Sequence, residues 1–210
     1  MNEIYGFVNF DKTIASSEYI GKMYSAIAHR EPDGGGVYRK EFAAFGFTFF
    51  RDSDSEVVAP ISMPDYNRAD SILFVSTAKL HNRSSLCRNM AIPSEIESEI
   101  SDEELTKKAY YLWKEKAGSH LSGNWALAAW HEDEMKLFLS KDSGSISKLY
   151  YYSTPSVFVF ASSLESIKAH SAIPSGFGDV QSNNSSEIIV TPDFPGNSEN
   201  IIFCLQTIST

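Results

Sequence analysis

The histidines stand at positions 29, 81, 120, 131 and 170. None pairs with another at i,i+4, and only His131 has acids beside it. Those acids, Glu132, Asp133 and Glu134, read as a solvated hairpin turn rather than a ligand set, so no metal site is expected. Cys87 and Cys204 are far apart and lack CxxC spacing; they read as two buried reduced thiols, with no disulfide framework or zinc site. A Gly-x-Ser-x-Gly elbow is missing from the sequence. Gly34-Gly35-Gly36 is too short and wrongly placed for a phosphate loop, and there is no Walker-A spacing. The most informative polar cluster is Ser101-Asp102-Glu103-Glu104. Asp102 there charges the first turn of a helix. Tyr150-Tyr151-Tyr152 and the aromatic run from Phe45 to Phe50 could stack on bases, but they read as core between sheets.

Positioning these residues requires an alternation of strands and helices. Ile4 to Phe10 reads as a strand, and Ser16 to His29 then places Tyr19, Ile20, Met23, Tyr24 and Ile27 on one helical face. Gly34-Gly35-Gly36 breaks the pattern as a turn, and strands follow within Val37 to Phe50 and Ser71 to Val75. Ser101 with Glu104 is a capping-box signature, and Leu105, Ala109, Leu112 and Trp113 give the stripe of a second helix. Strands are expected at Trp125–Trp130, Lys136–Leu139, Leu149–Tyr152 and Val157–Ala161, with Ser163 capping a short helix through Ala169. The class is α+β. From residue 171 to 210 the chain turns Ser/Asn/Gly/Pro-rich and holds no Lys or Arg. It reads as a C-terminal extension in which Ile188-Ile189-Val190 and Ile201 to Leu205 could pair as an edge hairpin, with either a mobile linker or ordered structure over Gly176–Ser186.

Of the 210 residues, 42% are hydrophobic and 18 Lys+Arg face 27 Asp+Glu, a formal net charge of −9. These figures describe one compact globular unit. The acidic balance without a basic run argues against nucleic acid and acidic membranes as partners. No stretch is long and apolar enough to span a bilayer, and Met-Asn-Glu is unlike a signal peptide, so a cytoplasmic location is expected.

Five fragments in order carry a resemblance over residues 1–170. They are Ile4-Tyr5-Gly6-Phe7; His29-Arg30-Glu31-Pro32-Asp33 with Gly36; Ser101-Asp102-Glu103-Glu104; Leu121-Ser122-Gly123-Asn124-Trp125 through Trp130; and Lys141-Asp142 with Leu149-Tyr150-Tyr151 and Phe160-Ala161-Ser162. Together they resemble the glutaminase domain of asparagine synthetases, a class II glutamine amidotransferase of the N-terminal-nucleophile (Ntn) hydrolase superfamily. The resemblance implies a four-layer αββα sandwich of two antiparallel sheets. It also implies an attacking N-terminal Cys whose α-amino group takes the proton, an Asn side chain and a Gly N–H for the oxyanion, an Arg for the substrate carboxylate, and an Asp for its amino group.

Carried over position by position, the resemblance puts Asn2 in the place of the Cys, with Glu3 after it and Met1 expected to be retained. Phe49 falls where the Arg should be; Arg51, two residues or about 7 Å along the strand, is a poor substitute. Thr77 and Ala78 occupy the oxyanion pair, and Asp102 matches the amino-group Asp. In the Lys141-to-Tyr150 motif, Ser145 and Lys148 replace the family's Gly and Pro, so that loop is expected to be altered or mobile.

These replacements predict no catalytic residues, no cofactor and no Cys-dependent glutaminase activity. The chain also lacks the Ser-Gly-Gly-x-Asp-Ser loop of the synthetase half. The leading expectation is a non-catalytic binding or accessory domain for an asparagine-synthetase-like ligase subunit, with self-association or an amino-acid ligand as further options. The alternatives are a residual amidohydrolase using a nucleophile such as Thr77, and an amino-acid sensor in which Asp102 grips an amine beside Phe49.

Overall fold

The computed structural model describes residues 2–50, 72–144 and 147–175, and the backbone of 201–205. Nine strands make two sheets within that range. The first contains β1 (Glu3–Asn9), β2 (Gly34–Arg39), β3 (Ala43–Phe49), β7 (Tyr150–Ser153) and β8 (Val157–Ala161), in the order β2-β3-β1-β8-β7. The second contains β4 (Leu73–Leu80), β5 (Gly123–His131), β6 (Lys136–Lys141) and β9 (Ile201–Leu205), in the order β4-β5-β6-β9. Neighbouring strands are antiparallel except that β9 runs parallel to β6.

Strand parity explains the layering, because side chains alternate between faces. Ile4 and Val8 of β1, Phe45, Phe47 and Phe49 of β3, Leu73 and Val75 of β4, and Ala126, Ala128 and Trp130 of β5 meet in one buried cluster between the sheets. Tyr5 and Phe7 point the other way, under α1 (Ser17–Ser25) and α4 (Leu164–Lys168). Phe74, Trp125, Leu127 and Phe138 form a third cluster under α2 (Arg83–Asn89) and α3 (Asp102–Trp113). The result is the expected four-layer αββα sandwich of α+β class, and the aromatic runs are core. Ser101 Oγ accepts the Glu104 N–H at 3.1 Å, so α3 starts where the capping signature puts it.

Several sequence expectations need correction. Gly34-Gly35-Gly36 is no turn; it opens the edge strand β2. A β-carbon on Gly35 would lie 2.4 Å from the Phe47 carbonyl oxygen, so the run allows close strand approach, with the Phe47 and Phe49 rings lying over the bare backbone of its neighbours. The β4 strand continues past Val75 to Leu80, and β6 past Leu139 to Lys141. Tyr24 and Leu112, assigned to apolar faces, are 40% and 56% exposed. Of the proposed hairpin, Ile201–Leu205 pairs with β6, while Ile188–Val190, like Arg51 and the Gly176–Ser186 linker, lies outside the described residues. Cys87 is a buried free thiol.

Candidate functional site

Asn2 sits just before the central strand β1, at the end of the sandwich where Phe50, just past β3, and the start of α3 converge. Its Nδ2 donates to Glu103 Oε1 at 3.0 Å, and its Oδ1 accepts the Phe50 N–H at 3.1 Å. Both ends of the carboxamide are therefore engaged.

The next residue, Glu3, points to the opposite face of the sheet. There the Arg30 guanidinium holds its carboxylate and also reaches Glu165 Oε2 at 2.8 Å. Burial raises the Glu3 pKa, and Arg30 opposes that rise. Among the described residues nothing donates to Glu3 Oε2.

Thr77 and Ala78 lie on β4, an outer strand of the four-stranded sheet. Thr77, half-buried, follows Leu73 and Val75 on the inner face and is registered against Ala126, which in turn faces Lys141. Ala78 lies on the α3 side, where its N–H favours the ionised form of the Glu103 carboxyl. Two residues on, the Leu80 N–H donates to Asp102 Oδ2 at 2.7 Å. The first turn of α3 thus caps the free edge of β4 with two consecutive acids.

Asp102 also pairs with Arg83, whose Nη2 donates to the carbonyls of Glu97 (2.9 Å) and Ile100 (2.6 Å). Its carboxylate is committed to the strand edge and to that cation. Glu103 is 6% exposed. Burial raises its pKa, against hydrogen bonds from its own N–H, Asn2 and Ala78, and the charged neighbour acting on it is Asp102, of like sign.

Phe49 is buried between the sheets with its ring edge over Gly34. At the position where the resemblance expects an Arg, the structure offers apolar core. Farther along β6, the buried Lys141 ammonium donates to the carbonyls of Asp142 (2.5 Å) and Gly144 (2.9 Å), and burial lowers its pKa. Asp142 accepts from the Trp125 N–H (2.9 Å) and the Gly144 N–H (2.5 Å), so Lys141 and Asp142 hold the backbone at Gly144.

The structure brings Asn2 and Ala78 together through Glu103. Asp102 is bound instead to Leu80 and Arg83. Glu103 was not singled out by sequence reasoning, because an acid in the first turn of a helix already has a sufficient explanation in the helix dipole. A cavity of about 340 Å³ lies at the other end of β4, bounded by Ile72, Tyr110, His131, Glu132 and Phe138. Tyr110 Oη and His131 Nε2 are 2.6 Å apart at its wall. Among the described residues no group of three His, Cys, Asp or Glu could hold a metal, and no helix is long and apolar enough to cross a membrane.

Two face-to-face sheets with outer helices make a four-layer sandwich, and at one end of it the residue before the central strand meets a helix start. The family model for the glutamine amidotransferase domain matches residues 1–190, and the chain belongs to that family. It is similar to asparagine synthetase [glutamine-hydrolyzing] 3 of Bacillus subtilis (strain 168), 26% identical over 168 residues, covering 80% of this chain and 27% of that protein. It is 27% identical over 157 residues to asparagine synthetase [glutamine-hydrolyzing] 1 of the same organism, covering 74% of this chain and 24% of that protein. The chain thus spans about a quarter of the length of these curated relatives. Among solved structures, the glutamine phosphoribosylpyrophosphate amidotransferase of B. subtilis, complexed with ADP and GMP, superposes with a TM-score of 0.57 at 16% identity. That match covers 80% of this chain and 43% of the other, and it shows the shared fold.

Proposed function

We propose that this asparagine-synthetase-type glutaminase domain has lost its nucleophile and serves as a non-catalytic binding or accessory domain for a synthetase-type ligase in the cytoplasm. The observation that carries this reading is the state of Asn2. A carboxamide is a poor nucleophile to begin with, and both its donor and its acceptor are already held, by Glu103 and by the Phe50 N–H. The surroundings agree. Phe49 offers no cation to a substrate carboxylate, Asp102 is taken by Arg83 and Leu80, and the Ala78 N–H is taken by Glu103. Losing an oxyanion donor would slow turnover by about 10²–10³-fold, whereas losing the nucleophile removes the covalent route itself.

The test is release of glutamate and ammonia from glutamine by the purified chain. No turnover above the uncatalysed rate is expected, and turnover abolished by Asn2→Ala overturns the reading. An intact mass that retains Met1 disposes of a processed terminal nucleophile. Partnership is tested separately, by a size-exclusion shift of the chain mixed with a synthetase-type ligase.

A further inference from the structure

The Glu103 carboxyl group accepts the Asn2 side-chain N–H at 3.0 Å, and the backbone N–H groups of Ala78, on the edge of β4, and of Glu103 itself, at the start of α3, favour its ionised form. Such convergence is what a site for a carboxylate or carboxamide oxygen requires. Here the occupant is covalently attached. Among the described residues no cation is paired with the buried Glu103 carboxyl, and its charged neighbour Asp102 repels it. Glu3, equally buried, has Arg30. A carboxyl whose partners among the described residues are amide groups is poorly explained as a stabilising ion pair and well explained as a filler of a polar recess.

We infer that Glu103 is the resident ligand of this site, a tethered carboxyl that closes the end of the sandwich to free amino acids and whose removal opens it to a small carboxylate or carboxamide. The inference rests on the non-catalytic reading above and deepens it by naming what occupies the site. Glu103→Ala removes Cγ and the carboxyl group, which acetate replaces atom for atom; acetamide supplies the same carbonyl acceptor without charge.

The experiment is thermal unfolding of the wild-type chain and Glu103→Ala with increasing acetate, acetamide or tert-butanol, the last being of similar size but without a carbonyl. In the variant, Tm is expected to fall and then recover saturably by a few degrees with acetate or acetamide, at the millimolar affinity such small ligands allow. The wild-type Tm should not move, and tert-butanol should do nothing. A variant indifferent to both carbonyl probes, equally responsive to tert-butanol, or matched by the wild type overturns the inference.

Should Glu103→Ala fail to fold, amide hydrogen exchange on the wild-type chain decides. A slow Ala78 amide supports the tethered acceptor, and exchange at the rate of a free edge-strand amide overturns it. Glutamine turnover by the wild type is the separate signature of a failed non-catalytic reading, so the two failures are distinguishable.

Discussion

Asn2 and Glu103, 101 positions apart, share a 3.0 Å hydrogen bond that joins the leading end of the central strand to the first turn of α3. The same Asn2 accepts the Phe50 N–H, so Asn2→Ala leaves a buried carboxyl and a backbone donor each short of one partner. A loss of about 2 kcal/mol is expected. Chemical denaturation measures it, and a double-mutant cycle with Glu103→Ala should show coupling of about 1 kcal/mol. Additive losses would mean that the bond contributes nothing in solution.

Burial raises the Glu103 pKa, so the folded state binds its proton more tightly than the unfolded state does. Its contribution to stability is fully present below the ordinary carboxylate value, and it declines as pH rises from there through the raised folded value. Glu3 is shifted in the same direction, so the informative quantity is the difference between variants. Glu103→Gln, neutral at every pH, should gain on the wild type as pH rises through that window. Urea denaturation of both proteins between pH 4 and pH 8 provides the comparison, and parallel curves would contradict it.

Restoring a thiol tests the proposed loss of chemistry from the other direction. Asn2→Cys with the initiator Met removed should still release no glutamate from glutamine above background. Glu103 remains against the Ala78 N–H, and Phe49 provides nothing for a substrate carboxylate to bind. Turnover by this single variant would show that the surrounding site is intact.

The layers could be read from the sequence because apolar alternation assigns faces: Ile4 and Val8 inward, Tyr5 and Phe7 outward. The start of α3 was equally legible, since Ser101 and Glu104 form a local signature. Gly34–Gly36 misled because a glycine run signals a turn by composition, whereas here it is needed for the approach of Phe47 and Phe49 across the strand pair. The partners of Asp102 and Glu103 were illegible for a different reason. They depend on which N–H groups of β4 face away from β5, a property of strand order. Sequence spacing could suggest Asp102 as a ligand contact; only tertiary placement gives it to Leu80 and Arg83.

Gly123 opens β5 with φ +128°, and a β-carbon there would stand 2.2 Å from the Lys79 carbonyl oxygen on the paired strand. Both the conformation and the backbone contact exclude a side chain. Gly123→Ala should therefore cost about 2–4 kcal/mol. Because Lys79 lies between Ala78 and Leu80, the damage should reach the edge that Asp102 and Glu103 cap, and faster amide exchange at Ala78 and Leu80 is the accompanying readout. A destabilised variant with unchanged exchange at those two positions would confine the strain to the turn.

His170 is expected to shape the acid limb of stability. Its ring is buried against Phe7 and Tyr19, at centroid distances of 4.8 and 5.1 Å, and Nδ1 accepts the Ala172 N–H at 3.2 Å. Among the described residues Nε2 makes no hydrogen bond, and burial pushes the pKa down to about 4. The unfolded chain, titrating near the ordinary value of 6.5, therefore takes up the proton first. Stability due to the neutral ring is present above that value and is lost as pH falls from 6.5 toward about 4, by up to a few kcal/mol. His170→Phe keeps an aromatic ring between Phe7 and Tyr19 but cannot titrate. At neutral pH it should be somewhat less stable than the wild type, because the Ala172 N–H loses its acceptor. Below pH 6 the gap should close and then reverse, since the variant escapes the charging of a buried imidazole. Urea midpoints measured at intervals from pH 7.5 to pH 4.5 would show the crossing; two curves that stay parallel would mean that His170 is solvated when protonated and that the acid limb has another source.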